Sequence, residues 1–335
     1  MSFSNFFLRS NFGSVVFAAT LIMAMLVTGC RGNQPAATNS GLTPVRLQAD
    51  WYPQPEQGGY YTALVKGYYK AEGLDVTILP LGPYTSGPQT VASGGADFGL
   101  GSSDQILEVV SNGLPLTAIA ATMQHDPQAI MLHKDSPVHD FPDLEGRFVA
   151  AQTGATWFKF IVSKYHLKDV REIPATHSIA NFLADPNYIQ QIFVTSEPYF
   201  VKDAGADFRT LLISAAGYDP YRVLFVRNDY VQQHPDIPAK FVRASIKGWQ
   251  EYLRDPAPAN ALILKLNPAQ SAAQMAYTLQ ALKDGSFITG PDASGSKIGS
   301  MMASRWAETG QQLTALGVIH KPIDPTTAYT LKYLP

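Results

Sequence analysis

The chain has 335 residues, of which 46% are apolar and 16% charged, and its formal net charge is −2. That apolar share excludes intrinsic disorder and supports a substantial core, while a near-neutral balance without a basic block or stripe excludes nucleic acid as a partner. The one cysteine excludes a disulfide framework, and a chain of this length can bury enough apolar surface without staples.

In chain order, the first feature is an apolar run from Val15 to Val27 (VVFAATLIMAMLV), preceded by Arg9 and followed at once by Thr28-Gly29-Cys30. A charged start, a short apolar stretch and small residues at its end describe an export signal; a membrane-spanning helix needs ~20 apolar residues. The tetrapeptide V-T-G-C resembles the lipobox of bacterial lipoproteins. The resemblance implies a signal peptide over residues 1–29, cleaved before Cys30, and lipidation of the Cys30 sulfur. Each buried acyl CH₂ contributes about 0.8 kcal/mol, so stable anchoring takes more than one chain, which a multiply acylated cysteine supplies. The protein is then expected outside the cytoplasm, lipid-anchored to the cell membrane, on the periplasmic face in a Gram-negative cell. Residues 30–43 are polar, small and aperiodic, and read as a flexible tether.

From Pro44 the pattern alternates. Val45 to Ala49 is a strand, and Trp51 to Gly59 a loop. Tyr60 to Ala71 has helical spacing and ends at Gly73. Leu74 to Leu79 is a strand, Ser86 to Ser93 a helix, and Asp97 to Leu100 a strand. Ser102-Ser103-Asp104 can cap a helix that runs to Asn112, and Leu116 to Ala121 is the next strand. A second series follows: strands Ala129 to His133 and Arg147 to Ala151, helix Gly154 to Tyr165, strand Ile189 to Val194, helix Glu197 to Asp203, and strands Thr210 to Ile213 and Tyr221 to Val226. The remainder is helical, over Ala239 to Leu253, Ala259 to Leu264, Ser271 to Leu282 and Ser294 to Leu316.

This order predicts an α/β fold with two lobes, each a parallel sheet covered by helices. Residues 44–127 and 222–335 would form lobe 1, and residues 128–221 lobe 2. The chain would cross between them twice, making a two-strand hinge with a ligand cleft beyond the C-terminal strand ends.

Asp50-Trp51-Tyr52-Pro53, together with Gly67-Tyr68-Tyr69-Lys70-Ala71-Glu72-Gly73-Leu74-Asp75-Val76, resembles the opening of the NMT1/THI5-like substrate-binding proteins of bacterial ABC transporters. Later pieces agree in order and spacing: Gly94-Gly95-Ala96-Asp97-Phe98-Gly99, Gly113-Leu114-Pro115-Leu116, Asp143-Leu144-Glu145-Gly146-Arg147, Thr195-Ser196-Glu197-Pro198 and Gly217-Tyr218-Asp219-Pro220-Tyr221. The similarity covers roughly Pro44 to Leu264. It implies the periplasmic-binding-protein type II fold and a monomer that closes around a small solute and presents it to a permease with its ATPase subunits. Family members bind thiamine pyrimidine precursors, riboflavin, and sulfonates or nitrate.

Candidate ligand-binding residues lie at strand C-termini. Trp51 could stack on a flat ring, Gln54 could hydrogen-bond it, and Tyr60 opens the next helix. Ser102 and Ser103 sit at a helix N-terminus, which favours an acceptor or anion. Gln124 ends a strand at the lobe junction. In the second lobe Thr153 lies where strand gives way to helix, with Trp157 in the first turn beyond it, and Glu197 begins a Pro-initiated helix. A carboxylate in a closed cleft repels anions and favours amines. With no arginine in these loops, a planar nitrogen heterocycle of the aminopyrimidine type is expected ahead of sulfonate or nitrate, with riboflavin as the alternative.

An enzyme is the rival of another class. Eukaryotic relatives make the thiamine pyrimidine using a lysine and a histidine four apart; Gly101 and Gln105 stand there in this chain, and their cysteine-rich iron motif is missing. No G-x-S-x-G, H-E-x-x-H or phosphate-binding loop occurs. The seven histidines (125, 133, 139, 166, 177, 234, 320) show no ligand pairing. The expectation is therefore a binding protein with no cofactor, no metal and no catalytic residue.

Overall fold

A computed structural model describes residues 41–335 other than 83, 84, 177, 293 and 296. The export signal, Cys30 and most of the tether lie outside the described residues, as does His177. Ten strands alternate with helices: β1 (Thr43–Gln48), α1 (Gly58–Val65), α2 (Tyr68–Ala71), β2 (Leu74–Leu79), α3 (Gly87–Ala92), β3 (Phe98–Ser102), α4 (Ser103–Ser111), β4 (Leu116–Met123) and β5 (Gln128–His133). Then come β6 (Phe148–Ala151), α5 (Thr156–Lys164), β7 (Arg171–Pro174), α6 (Ala180–Ala184), β8 (Ile189–Phe193), α7 (Glu197–Asp203), β9 (Phe208–Leu212) and β10 (Arg222–Arg227). Five helices finish the chain: α8 (Asn228–Gln233), α9 (Ile237–Tyr252), α10 (Ala257–Leu266), α11 (Ala272–Asp284) and α12 (Ala303–Ala315).

The strands form two five-stranded sheets, ordered β2-β1-β3-β10-β4 and β7-β6-β8-β5-β9. Neither sheet is wholly parallel. β10 runs antiparallel to β3 and β4, and β5 runs antiparallel to β8 and β9. These are the two strands entered directly after the chain leaves the other sheet, through residues 124–127 and then 213–221. A chain arriving at the edge where neighbouring strands end can only run against them. The reversal therefore brings the C-terminal edges of both sheets to the crossings, where open α/β sheets bind ligands.

Why these residues build this frame is clearest at the first helix. The Tyr60 to Ala71 spacing is split in two, because Gly67 takes the left-handed conformation (φ 74°) between α1 and α2. The glycines that open α1 serve a close helix crossing. A Cβ at Gly58 would run into the Tyr252 ring, and one at Gly59 into the Trp249 ring. Trp249 and Tyr252, three apart on α9, thus lie directly on the α1 backbone. Leu47, Phe98, Leu224, Val226, Phe241 and Trp249 are all buried in this core. Val223 and Phe225, on the opposite face of β10, pack instead with Ile106, Leu107 and Trp306. The period-two alternation of β10 so serves two layers of one sheet.

The helix expected from Ser294 to Leu316 is shorter and begins at Ala303. Gly295 and Gly299 adopt positive φ (72° and 93°), and Gly299 pairs with Ala121 as an isolated bridge, so this stretch adds cover to the edge of β4.

Candidate functional site

Four strand ends and one strand start meet at the edge of the first sheet. Arg222, the first residue of β10, lies opposite Ser102 of β3 and Met123 of β4. Beyond β1 come Asp50, Trp51 and a 3-10 turn, Pro55–Gln57, whose N-cap is Gln54. At the edge of the second sheet, Gln128 of β5 lies opposite Phe193 of β8.

The two edges are tied by buried polar contacts. Thr195 Oγ1 donates to Glu56 Oε1 at 2.7 Å, and its carbonyl accepts from Thr278 of α11 at 2.7 Å. The neighbouring Val194 carbonyl accepts from Tyr277 at 3.1 Å. Tyr218 donates to Asp104 at 2.6 Å. The two crossing segments are joined by Asp219, which accepts from the Asp126 amide at 2.8 Å and lies 2.7 Å from His125 Nδ1. Tyr221 completes the tie, since its amide donates to Ser103 Oγ at 3.0 Å and its carbonyl accepts from the Ser103 amide.

Carboxylates dominate this junction. Burial pushes Glu56 up to about 7, opposed by the Thr195 hydroxyl. Burial likewise pushes Asp126 up to about 6, opposed by the Arg222 guanidinium and the Gln128 amide. Glu197 is raised by burial and partly held down by the Phe193 amide, which donates to its Oε2 at 2.9 Å. Desolvation disfavours the charged form of each.

The expected ligand residues divide by their present partners. Trp51 is half-buried and meets Tyr52 edge to face, with centroids 5.5 Å apart; Gln54 is half-buried at its cap. Tyr60 is 2% exposed, and its hydroxyl bonds to Thr122 at 2.8 Å. Ser102 is buried and caps α4 together with Gln105, and Ser103 holds Tyr221. Gln124 donates to the Ser300 carbonyl at 3.0 Å, and its amide donates to Phe287. Thr153 is exposed, while Trp157 is buried in the core of the second sheet. The structure thus brings Trp51, Gln54, Ser102, Ser103, Gln124 and Glu197 to the two facing edges, and sets the Tyr60 and Trp157 rings in the cores behind them.

Sequence reasoning missed Glu56, Asp126 and Arg222. Glu56 stands in the very loop that supplied Trp51 and Gln54, between Pro55 and Gln57, and a carboxylate in a Pro-rich loop beside a cleft was the available signal. Arg222 is not at a strand C-terminus, but a reversed strand presents its N-terminus at the same edge. At Gly101 a Cβ would meet the Gln105 amide and the Phe225 ring, both at 3.3 Å, so a side chain there would have to displace them slightly. Among the described residues, no group of three or more His, Cys, Asp and Glu is arranged to hold a metal, and no helix is long and apolar enough to cross a membrane.

The chain belongs to the NMT1/THI5-like family, whose model matches residues 54–259. It is 23% identical over 347 residues to the riboflavin-binding protein RibY of Chloroflexus aurantiacus, covering 96% of this chain and 97% of that protein. It is 26% identical over 260 residues to the formylaminopyrimidine-binding protein of Halalkalibacterium halodurans, covering 73% and 77%. Among solved structures, the periplasmic aliphatic sulphonate binding protein SsuA of Escherichia coli superposes with a TM-score of 0.62 at 17% identity, covering 85% of this chain and 91% of that one. The fold is the periplasmic-binding-protein type II fold, an α/β architecture of two mixed sheets.

Proposed function

We propose that this protein is the extracytoplasmic solute-binding component of an ABC importer. It captures a small planar nitrogen heterocycle of the thiamine pyrimidine precursor type between two lobes, residues 44–127 with 222–335 and residues 128–221, and delivers it unchanged to a permease. The observation that carries this reading is the buried carboxylate lining at the facing sheet edges, Glu56, Asp126 and Glu197, all displaced upward by burial. Where ionised these groups repel sulfonate and nitrate, and in either form their oxygens can accept hydrogen bonds from ring amino groups. Riboflavin is the second reading, favoured by a relative named for it that aligns with nearly the whole chain. Lipidation of Cys30 would hold the protein at the membrane surface through its tether.

Calorimetric titration with hydroxymethylpyrimidine, formylaminopyrimidine, riboflavin, taurine and nitrate tests the proposal. Tight binding of one heterocycle is the expected result, accompanied by ~2.7 kcal/mol of stabilisation at a hundredfold excess over Kd. Tight binding of taurine alone, or turnover of any heterocycle, would overturn it. Mass spectrometry of the N-terminal peptide extracted from membranes would read the modification on Cys30 directly.

A further inference from the structure

We propose that Arg222 is a specificity-determining residue of this junction and that it receives a carbonyl oxygen carried by a planar heterocycle, either on its ring or on a substituent. The inference rests on the solute-binding reading above and narrows it.

An arginine carries five N–H donors in a fixed plane and has no acceptor of its own. The Arg222 side chain is only 14% exposed, yet its buried Nε has no hydrogen-bond partner among the described residues. Buried polar groups are ordinarily satisfied. The nearest carboxylate does not meet the need: Asp126 Oδ1 is 3.9 Å from Nε, beyond hydrogen-bond range. Both Asp126 oxygens are engaged elsewhere, Oδ1 by the Gln128 amide at 2.9 Å and Oδ2 by Gln128 Nε2 at 3.3 Å.

What does hold Arg222 is a ring. Its guanidinium carbon lies 4.7 Å from the centroid of Phe193, the last residue of β8 and four residues before Glu197. That contact holds the guanidinium in place without using any of its N–H donors. The contrast with Arg305 is direct. Arg305 also lies at the crossings, 4.3 Å over the Tyr221 ring, but it donates to the Gln124 carbonyl and lies 3.5 Å from Asp219. One arginine is consumed by structure; the other has a position and no acceptor.

The acceptor is a neutral carbonyl rather than an anion because of the surrounding charge. Asp104 and Asp219 each act on Asp126, and Glu197 acts on Glu56. Two arginines do not outweigh them, so a fully charged sulfonate or carboxylate would face net repulsion. A ring imide or amide oxygen accepts the Arg222 donors without that cost, while ring N–H or amino groups meet the carboxylates.

The test is calorimetry on the detergent-solubilised full chain, wild type and the Arg222→Lys and Arg222→Gln variants. The probes are riboflavin (two ring carbonyls), formylaminopyrimidine (one formyl carbonyl) and hydroxymethylpyrimidine (none). Loss of a charged hydrogen bond should weaken the carbonyl-bearing probes by about tenfold or more, with hydroxymethylpyrimidine within about twofold, so the ratio between probes changes. Arg222→Lys keeps the charge facing Asp126 and is the variant read should Arg222→Gln fail to fold by its melting curve. An unchanged ratio, or a wild type that binds only hydroxymethylpyrimidine, overturns the role of Arg222 and leaves the solute-binding reading standing. A wild type that binds no heterocycle overturns both.

Discussion

Thr195 and Glu56, 139 positions apart in the chain, share a buried hydrogen bond of 2.7 Å between the edge of one sheet and the edge of the other. Thr195 is gripped twice, since its carbonyl also accepts from Thr278. Glu56 is 6% exposed and pushed up to about 7 by that burial. Closure of the two sheet edges on each other therefore places a carboxylate where water cannot solvate it, and one threonine hydroxyl is its compensation.

The first prediction concerns pH. A carboxyl raised from 4.5 to about 7 binds its proton more tightly in the folded state than in the unfolded one. Stability then falls as pH rises between those values, and the ionised form costs about 3 kcal/mol above pH 7. Asp126, raised to about 6, adds a cost over a lower window. The ligand-free protein should melt higher at pH 5 than at pH 8. Glu56→Gln should raise the melting temperature at pH 8 and flatten the profile between pH 5 and 8. A wild-type melting temperature that climbs steadily from pH 5 to 8 would contradict this account.

The second prediction removes the other partner. Thr195→Val keeps shape and leaves the buried Glu56 oxygen without its donor, at a cost of about 1–3 kcal/mol. The loss should be larger at pH 8, where Glu56 is ionised, than at pH 6. Urea unfolding at the two pH values reads the difference. Because the bond crosses between sheets, small-angle scattering should show a larger radius of gyration for the ligand-free variant than for the wild type.

Much of the frame is legible in the residues, and the exceptions have causes. β1, β2, β4, β5 and β8 carry apolar runs or alternation bounded by turn residues, and they lie within a residue or two of where patterning puts them. β7 escaped because Arg171, Glu172 and Pro174 read as loop; it is an edge strand with no fully buried residue, paired only to β6. Strand direction is not written in local pattern at all. It follows from the short crossings that carry the chain from one sheet into the other, 124–127 before β5 and 213–221 before β10, and the second reversal is what puts Arg222 at the cleft edge. Loop composition pointed to Trp51 and Gln54, but burial of Glu56 and Asp126 is a tertiary fact. Neither residue has an apolar neighbour pattern that foretells it.

Tyr60 separates two roles. As the first tyrosine of α1 it was expected to face the ligand, yet its hydroxyl bonds to Thr122 and its ring meets Trp249 edge to face at 6.1 Å. Tyr60→Phe should cost about 1 kcal/mol in unfolding free energy, the net worth of one buried hydrogen bond. Solute affinity should stay within about twofold of wild type. A tenfold loss of affinity without loss of stability would return Tyr60 to the binding surface.

The closest approach of backbones is the last point of leverage. At the crossing of α1 and α9 a Cβ on Gly248 would collide with the Gly59 carbonyl oxygen and lie 2.8 Å from the Ala63 Cβ. Two of the three obstacles are backbone atoms, Gly59 O and Ala63 N, so neither can rotate away. Gly248→Ala must therefore push α1 off α9 and loosen Trp249 and Tyr252 from Gly59 and Gly58. Overpacking of this kind costs about 1–3 kcal/mol, although alanine alone favours a helix interior by roughly 1 kcal/mol over glycine. The net expectation is a destabilised chain by denaturant melts. Since α1 follows directly on the Pro55–Gln57 turn that holds Glu56, the variant should also weaken solute binding. A variant more stable than wild type would mean that the two helices are free to slide apart.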